Sequence, residues 1–151
     1  NLNKKNTLIA NDIIQNNSIS IHIRRGDYLL KNNDNLNVDL NEYYLKAVKE
    51  SSKCFINPKY FIFTDDPLWV KKNFIIEYPY IVVDVNHGLN SFFDMHLMSL
   101  CKVNILANSS FSWWSAWLNN NLNKVVYSPK KWFKDKSICT NDLIPSSWNI
   151  I

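Results

Sequence analysis

The protein has 151 residues, of which 46% are hydrophobic and 14% aromatic, and this size and composition predict one globular domain with a sizeable core. Its formal net charge of +4 suits an anionic ligand or an anionic membrane surface but is too small to argue for nucleic acid binding. The three cysteines, Cys54, Cys101 and Cys139, form no C-x-x-C pair and predict neither a disulfide framework nor a redox or zinc motif.

The chain opens on a helical pattern that leads into a strand. Residues 1–17 have the periodicity of the end of an amphipathic helix, which we interpret as an interdomain or leading helix before a domain of residues 18–151. Because the first residue is Asn1 rather than Met, we expect the sequence to be a fragment. Isoleucines then alternate with polar residues over 19–23, a period of two that predicts a strand.

Helix and strand patterns follow one another through the middle of the chain. Asp39 and Glu42 stand three residues apart as a capping box, which predicts a helix beginning there. The apolar run 60–63 predicts a second strand. Asp66 followed by Pro67 is typical of a helix N-cap and the first helical position, so a second helix is expected after that strand.

The same alternation continues toward the end of the chain. Three further apolar runs predict the third, fourth and fifth strands: 80–84, 103–107 and 124–127. Ser91 with Asp94 forms a second capping-box pattern, and Ser109 or Ser110 is positioned to cap the helix after the fourth strand. Alternating helices and doubly apolar strands predict the α/β class, a Rossmann-like parallel sheet with flanking helices.

Charged residues follow the first predicted strand, at the sheet edge where parallel sheets bind ligands. Arg24 shares a strand face with His22, whereas Arg25 points the opposite way, so the two arginines are expected to have different roles. A guanidinium matches a phosphate through two parallel hydrogen bonds, and Asp27 could orient or neutralise one arginine. The alternatives are a structural arginine and aspartate cluster, or Arg25-Gly26-Asp27 as an adhesion tripeptide.

Two other segments carry candidate ligand groups. Asn108, Ser109 and Ser110 lie between a strand and a helix, where backbone N–H groups and hydroxyls can cap the helix and also bind an anion. Asp94 is either a partner of the helix dipole or an acceptor for guanine N1–H and N2–H₂, and spacing leaves both open. The tryptophans that follow are interpreted as packing groups rather than a sugar platform: Trp113, Trp114 and Trp117.

Several cofactor motifs are excluded by the sequence. With only two glycines, Gly26 and Gly88, the chain contains neither a G-x-G-x-x-G dinucleotide loop nor a Walker loop. The histidines form no H-E-x-x-H, and no D-x-D occurs, which predicts no dedicated metal site. No apolar run approaches the ~18 residues that a bilayer-spanning helix requires.

Four segments occur in order along the chain: SIHIRRGDYL, FIFTDDPLWVKKNF, DMHLMSLCKVNILANSSFSWWSAWL and VVYSPKKWF. In this order they resemble bacterial α-1,2-fucosyltransferases of glycosyltransferase family 11, from about residue 18 to residue 133. The resemblance implies the carboxyl-terminal half of a GT-B fold, with residues 18–151 as the GDP-fucose-binding domain. It also implies inverting, metal-independent transfer of L-fucose from GDP-β-L-fucose to the 2-hydroxyl of a galactoside, without a cofactor.

The resemblance also implies roles for individual residues. The residues expected to bind the donor are His22, Arg24, Asp94, Asn108, Ser109 and Ser110. The residues expected to be catalytic are Arg24, Arg25 and Asp27. Within these sets, Arg24 would contact the diphosphate, Asp94 would read guanine and the two serines would hold phosphate oxygens.

The resemblance further implies partners and a location. The expected partners are GDP-fucose, a galactose-terminated glycan acceptor and the amino-terminal domain of the same enzyme, with no nucleic acid. Because that domain contributes the acceptor site, the general base is expected to lie outside this chain. We expect a bacterial, cytoplasmic enzyme, free or peripheral at the inner face of the membrane. The alternatives are a fucosyltransferase of another linkage, or a noncatalytic carbohydrate or adhesion module.

Overall fold

The computed structural model describes residues 2–151 as strands that alternate with helices. The strands of this range are β1 (Asn17–Ile23), β2 (Pro58–Thr64), β3 (Tyr80–Val83), β4 (Val103–Ile105), β5 (Val125–Ser128) and β6 (Asn149–Ile150). The α-helices are α1 (Lys4–Gln15), α2 (Asn41–Ser52), α3 (Pro67–Asn73), α4 (Phe92–Ser99) and α5 (Ser110–Trp117). Short 3₁₀ segments cover Asp27–Leu29, Lys31–Leu36 and Gly88–Asn90.

The strands form a sheet in the order β3-β2-β1-β4-β5-β6, and every neighbouring pair is parallel. From β1 the chain moves outward through β2 and β3, then returns to place β4 on the other side of β1. The strand order therefore reverses between β1 and β4, and a crevice forms at such a switch point. The predicted Rossmann-like parallel sheet is confirmed. The sequence analysis missed β6, whose two residues are too few to show alternation.

The two faces of the sheet bury different helices. Ile19, Ile21 and Ile23 of β1 pack with buried side chains of α2 and α3. On the opposite face, Phe61 and Phe63 of β2 pack against α1 and α4. Both clusters leave the carboxyl edge of the sheet to polar groups, because the apolar runs end where the strands end. Within residues 2–151, no helix is long and apolar enough to span a membrane.

Two of the predicted helix starts are confirmed. Asp66 caps α3, since its side-chain oxygen accepts a hydrogen bond from the backbone nitrogen of Trp69 (3.1 Å), and Pro67 is the first helical residue. Ser109 caps α5, accepting from the backbone nitrogen of Phe111 (3.3 Å). Both caps lie just after strand ends, so they also fix where each helix starts relative to the carboxyl edge of the sheet.

Both predicted capping boxes are wrong. α2 begins at Asn41, and the carboxylate of Asp39 accepts from the backbone nitrogen of that residue (3.0 Å), as in an Asx turn before the helix. Ser91 has helical backbone angles (φ −60°, ψ −23°) because it continues a 3₁₀ turn, and its side chain makes no capping hydrogen bond. The Asp94 carboxylate lies in the first turn of α4 but makes no capping-box hydrogen bond, and it accepts from Asn86 instead.

Candidate active site

A cavity of about 290 Å³, termed here the His22 cavity, opens at the carboxyl ends of β1, β2 and β3. Its lining includes His22, Arg24, Asp65, Asn86, Asp94 and Phe111. Three of the residues predicted to bind a donor, His22, Arg24 and Asp94, thus come together although 72 positions of sequence separate the first from the last. The cavity lies beside the switch point of the sheet, where ligands of open α/β folds bind.

Arg24 is held between two carboxylates at the rim of this cavity. Its guanidinium donates to Asp27 Oδ1 through Nε (2.9 Å) and Nη2 (2.8 Å), and its Nε lies 3.2 Å from Asp65 Oδ2. The side chain remains 31% exposed. Because a guanidinium has five N–H donors, these contacts orient it and leave donors for an anionic ligand. The structure shows that Asp27 orients this arginine.

Arg25 has different surroundings, as the strand alternation predicted. Its guanidinium lies 3.6 Å from the centre of the Trp69 ring on α3, and its Nε is 3.5 Å from Asp66 Oδ2. It is absent from the lining of the His22 cavity and instead borders a neighbouring cavity of about 260 Å³ together with Arg24 and Tyr28. Arg24 lines both cavities and therefore lies between them.

Gly26 permits a close approach of the chain to Asp65. A Cβ atom at this position would lie 2.5 Å from Asp65 Oδ2, closer than a side chain allows. Asp65 also accepts from the backbone nitrogen of Arg25 (2.9 Å). One carboxylate thus fixes both the turn after β1 and the Arg24 side chain. The sequence analysis missed this role, although Asp65 directly follows the second strand.

His22 has the chemistry of a ligand-binding group. The side chain is 3% exposed, and its Nδ1 has no hydrogen-bond partner among the described residues. Burial, and secondarily the nearby Arg24 charge, lower the pKa of His22 to about 3, so the ring is neutral. A buried polar atom without a partner is costly, and such atoms are rare in proteins unless a ligand or water completes them.

Asp94 adds an acceptor to the same cavity. It is 8% exposed, and its Oδ1 accepts from Asn86 Nδ2 (2.7 Å). Burial raises the pKa of Asp94 to about 6, while the hydrogen bond from Asn86 lowers it. At neutral pH the carboxylate is therefore mainly ionised, and it accepts hydrogen bonds. Asn86 follows the third strand, and sequence spacing does not show that it would contact Asp94.

Asn108 supports the turn between β4 and α5. Both hydrogens of its side-chain amide are used within the protein, on the carbonyl oxygens of Leu36 and Trp132 (2.8 Å each). The backbone carbonyl of Asn108 accepts a hydrogen bond from the Tyr28 hydroxyl (3.0 Å). The Tyr28 ring centre lies 5.7 Å from the Arg24 guanidinium carbon. The Asn108 side chain is thus committed to the loops around the neighbouring cavity, and the turn it holds lies close to Arg24.

Ser109 and Ser110, which follow Asn108 at the start of α5, differ in their exposure to solvent. Ser109 is buried as the cap of α5, whereas Ser110 is exposed at its first position. Of the tryptophans that follow, Trp113 packs as expected, stacked on Trp117 and donating to a backbone carbonyl (2.7 Å). Trp114 and Trp117 nevertheless stay about half exposed.

Residues 3–151 match the sequence profile of glycosyl transferase family 11, so the chain belongs to that family and its relatives are glycosyltransferases. It is 41% identical over 130 residues to the O-antigen biosynthesis glycosyltransferase WbnK of Escherichia coli, covering 83% of this chain and 43% of that protein. It is 38% identical over 143 residues to an alpha-1,2-colitosyltransferase of Escherichia coli, covering 91% of this chain and 49% of that protein. The chain thus spans about half the length of these curated relatives.

Among solved structures, the fold is similar to that of the fucosyltransferase NodZ from Bradyrhizobium. The TM-score is 0.49 at 15% sequence identity, and the match covers 78% of this chain and 42% of NodZ. A second structure, of NodZ alpha-1,6-fucosyltransferase soaked with GDP-fucose, matches with the same TM-score and identity and covers 43% of that chain.

Proposed function

We propose that residues 18–151 form the donor-binding domain of a family 11 glycosyltransferase with a GT-B architecture. In this proposal the enzyme transfers L-fucose from GDP-β-L-fucose to the 2-hydroxyl of a galactoside. The observation that carries the proposal is the buried, unpartnered Nδ1 of His22, which shares one cavity with the Asp94 carboxylate and the Arg24 guanidinium. Membership of a glycosyltransferase family supports a nucleotide sugar as the ligand of that cavity.

The nucleotide fits the cavity by charge and hydrogen-bonding character. Guanine presents N1–H and N2–H₂ as adjacent donors, and the ionised Asp94 accepts from both. His22 Nδ1 gains its missing partner from the nucleotide. The diphosphate then lies at the rim, where Arg24 offers the donors that Asp27 and Asp65 leave free.

The proposed reaction is a single displacement with inversion. The acceptor 2-hydroxyl attacks the anomeric carbon of the fucosyl group, the bond from that carbon to the β-phosphate oxygen breaks, and GDP leaves with the electron pair. The hydroxyl proton goes to a base that we assign to the amino-terminal domain, together with the acceptor site. An α-linked product results from a β-linked donor.

Arg24 acts on the charge that grows during this step. As the sugar departs, negative charge builds on the β-phosphate, so a donor fixed beside it stabilises the transition state more than the bound substrate. The opening amides of α5 and the Ser110 hydroxyl supply further donors on the turn after β4. This arrangement supports a metal-independent mechanism, because protein donors then perform the task of a divalent cation.

The neighbouring cavity is the place we propose for the sugar end of the donor. It lies across Arg24 from the His22 cavity and is bordered by Arg25 and Tyr28. A donor that crosses the Arg24 rim therefore brings its sugar beside Arg25, the second predicted catalytic arginine. We propose that the whole enzyme works at the cytoplasmic side of the membrane on a galactose-terminated glycan.

GDP-colitose is a second candidate donor, because one relative at 38% identity is named a colitosyltransferase. Assays of the intact enzyme with each donor separate the two, and linkage analysis of the product by NMR tests transfer to the 2-hydroxyl.

Calorimetric titration of this chain with GDP, ADP and UDP tests the donor site. We expect GDP to bind most tightly and Arg24→Ala to weaken it. Equal binding of the three nucleotides would contradict the proposal, as would glycan binding that ignores GDP and survives Arg24→Ala.

A further inference from the structure

A chain of three polar side chains connects α1 to the wall of the His22 cavity. Asn6 Nδ2 donates to Asn86 Oδ1 (2.9 Å), and Asn86 Nδ2 donates back to Asn6 Oδ1 (2.8 Å). The same Asn86 nitrogen donates its second hydrogen to Asp94 Oδ1 (2.7 Å). The two amides thus form a reciprocal pair, and one of them bonds the cavity carboxylate.

Asn6 stands at a core position of its helix. The buried residues of α1 are Asn6, Ala10 and Ile13, which lie on one helical face, and Asn6 is fully buried. An apolar side chain is the usual occupant of such a position, and buried asparagines are uncommon unless they are fully hydrogen-bonded. Asn6 does not line the His22 cavity. The hydrogen-bond partners of its side chain lie on one other residue, which does line the cavity.

We propose that Asn6 is a positioning residue for nucleobase selection, acting through Asn86 to hold the Asp94 carboxylate toward the base. The inference rests on the proposed function, because it takes Asp94 as the acceptor for guanine. Two hydrogen bonds with Asn6, one donated by Asn6 and one accepted by it, fix the plane of the Asn86 amide. The remaining N–H of that amide then points at Asp94 Oδ1 and restricts rotation of the carboxylate.

The consequence is selectivity for the exocyclic amino group of guanine. A carboxylate held in one orientation can accept from N1–H and N2–H₂ together, whereas one that rotates freely meets both donors for only part of the time. Hypoxanthine keeps N1–H but lacks the 2-amino group. The difference in affinity between GDP and inosine diphosphate (IDP) therefore reports on the contact to the 2-amino group alone. Adenine lacks both donors, so ADP reports on binding without the carboxylate.

The test compares Asn6→Ala with a matched control, Asn119→Ala. Asn119 also belongs to a buried amide pair, since its Nδ2 donates to Asn104 Oδ1 (2.8 Å), and it is not part of the His22 cavity. Asn6→Leu is made in parallel because it keeps more of the core volume if the alanine variant does not fold. Dissociation constants for GDP, IDP and ADP are measured by calorimetry on each folded variant of the 151-residue chain.

The wild-type chain is expected to bind GDP more tightly than IDP and ADP. Loss of Asn6 is expected to weaken GDP binding about fivefold, the effect of one ordinary hydrogen bond, while ADP binding is unchanged and the GDP preference over IDP shrinks. Asn119→Ala is expected to lower the melting temperature and leave that preference intact.

A preference that survives Asn6→Ala and Asn6→Leu overturns the inference and leaves the proposed function standing. An equal loss of preference in Asn119→Ala overturns it too, because the effect would then follow from general destabilisation. If wild-type protein does not distinguish GDP from ADP, the proposed function fails and this inference fails with it.

Discussion

Arg24→Ala is expected to weaken GDP binding about a thousandfold, because it removes a phosphate donor and also uncovers two carboxylates. In the structure, Asp27 and Asp65 both contact the guanidinium, at 2.8 Å and 3.2 Å. Without it, the diphosphate approaches a site that carries two uncompensated negative charges. The variant therefore has two separate effects on affinity, and each can be assigned a magnitude.

The first effect is the loss of charge-assisted hydrogen bonds to phosphate, which contribute ~1.5–3 kcal/mol. The second is repulsion: two unit charges about 6 Å apart interact by ~3 kcal/mol at an effective dielectric constant of about 20. Because the Arg24 and Asp27 side chains are 31% and 43% exposed, solvent and salt reduce this to ~1 kcal/mol for each carboxylate. The sum of ~4 kcal/mol corresponds to about a thousandfold in Kd.

The double variant Arg24→Ala/Asp27→Asn separates the two effects. Removing one uncovered carboxylate is expected to restore about 1 kcal/mol, or roughly fivefold in Kd, relative to Arg24→Ala alone. Lys59→Ala is the matched control, since Lys59 is similarly exposed and pairs with Asp12 (2.7 Å) outside the His22 cavity. It makes the same change in formal charge and is expected to leave GDP binding within about twofold.

Calorimetry with GDP and with guanosine completes this test. Guanosine lacks the diphosphate, so Arg24→Ala is expected to change its affinity far less than that of GDP. The reasoning would be refuted if both ligands lost affinity equally, or if Lys59→Ala weakened GDP binding as much as Arg24→Ala.

Three further predictions follow from the same site. Gly26→Ala places a Cβ against Asp65 and is expected to destabilise the fold by ~1–3 kcal/mol in urea unfolding and to weaken GDP binding as Arg24 loses its support. His22→Phe is expected to weaken GDP binding without lowering the melting temperature, because it removes a buried nitrogen that has no partner in the free protein; a large fall in melting temperature would contradict this. Burial raises the pKa of Asp94 to about 6, above its unfolded value of 3.8. Its contribution to folding stability is therefore full below pH 4 and lost as pH rises through 6, whereas GDP affinity rises over that range as the carboxylate ionises. Titrations from pH 5 to 8 are expected to show this rise, with a smaller one for Asp94→Asn; identical profiles would contradict the role of Asp94.

The sheet could be predicted because its signals are local. Apolar runs in β1 to β5 and the Asp66 cap each reflect interactions within a few residues, so spacing reveals them. The capping-box predictions also used local spacing, but they were wrong because contacts from distant parts of the chain decide the hydrogen bonds. Asp94 has the spacing of a capping box with Ser91, yet its carboxylate bonds Asn86 because that residue is held nearby by α1. Sequence spacing alone does not show whether the Asp94 carboxylate bonds the backbone at Ser91 or the side chain of Asn86.

The candidate site could be predicted as a set of residues but not as a network. The charged residues after β1 and the serine turn after β4 were expected at one edge, since parallel strands end together. The links among them were not visible in the sequence. Asp65, which follows β2, contacts Arg24, which follows the neighbouring strand β1. Asn6 bonds Asn86, which lies 80 positions later in the sequence. The first contact depends on the order of the strands and the second on the packing of α1.

The charges beside the end of β1 indicate that geometry rather than net charge would govern the proposed binding of a diphosphate. The chain carries a formal charge of +4, yet Asp27, Asp65 and Asp66 outnumber Arg24 and Arg25 at this turn, which leaves a local formal charge of −1. A diphosphate therefore gains little from long-range attraction to the turn. Its binding depends on short, directed hydrogen bonds from a guanidinium whose orientation the carboxylates already fix. Donors that need no reorientation are those that stabilise a growing charge most effectively, so in the proposed reaction the aspartates that lower the local charge also improve Arg24 as a donor to the diphosphate.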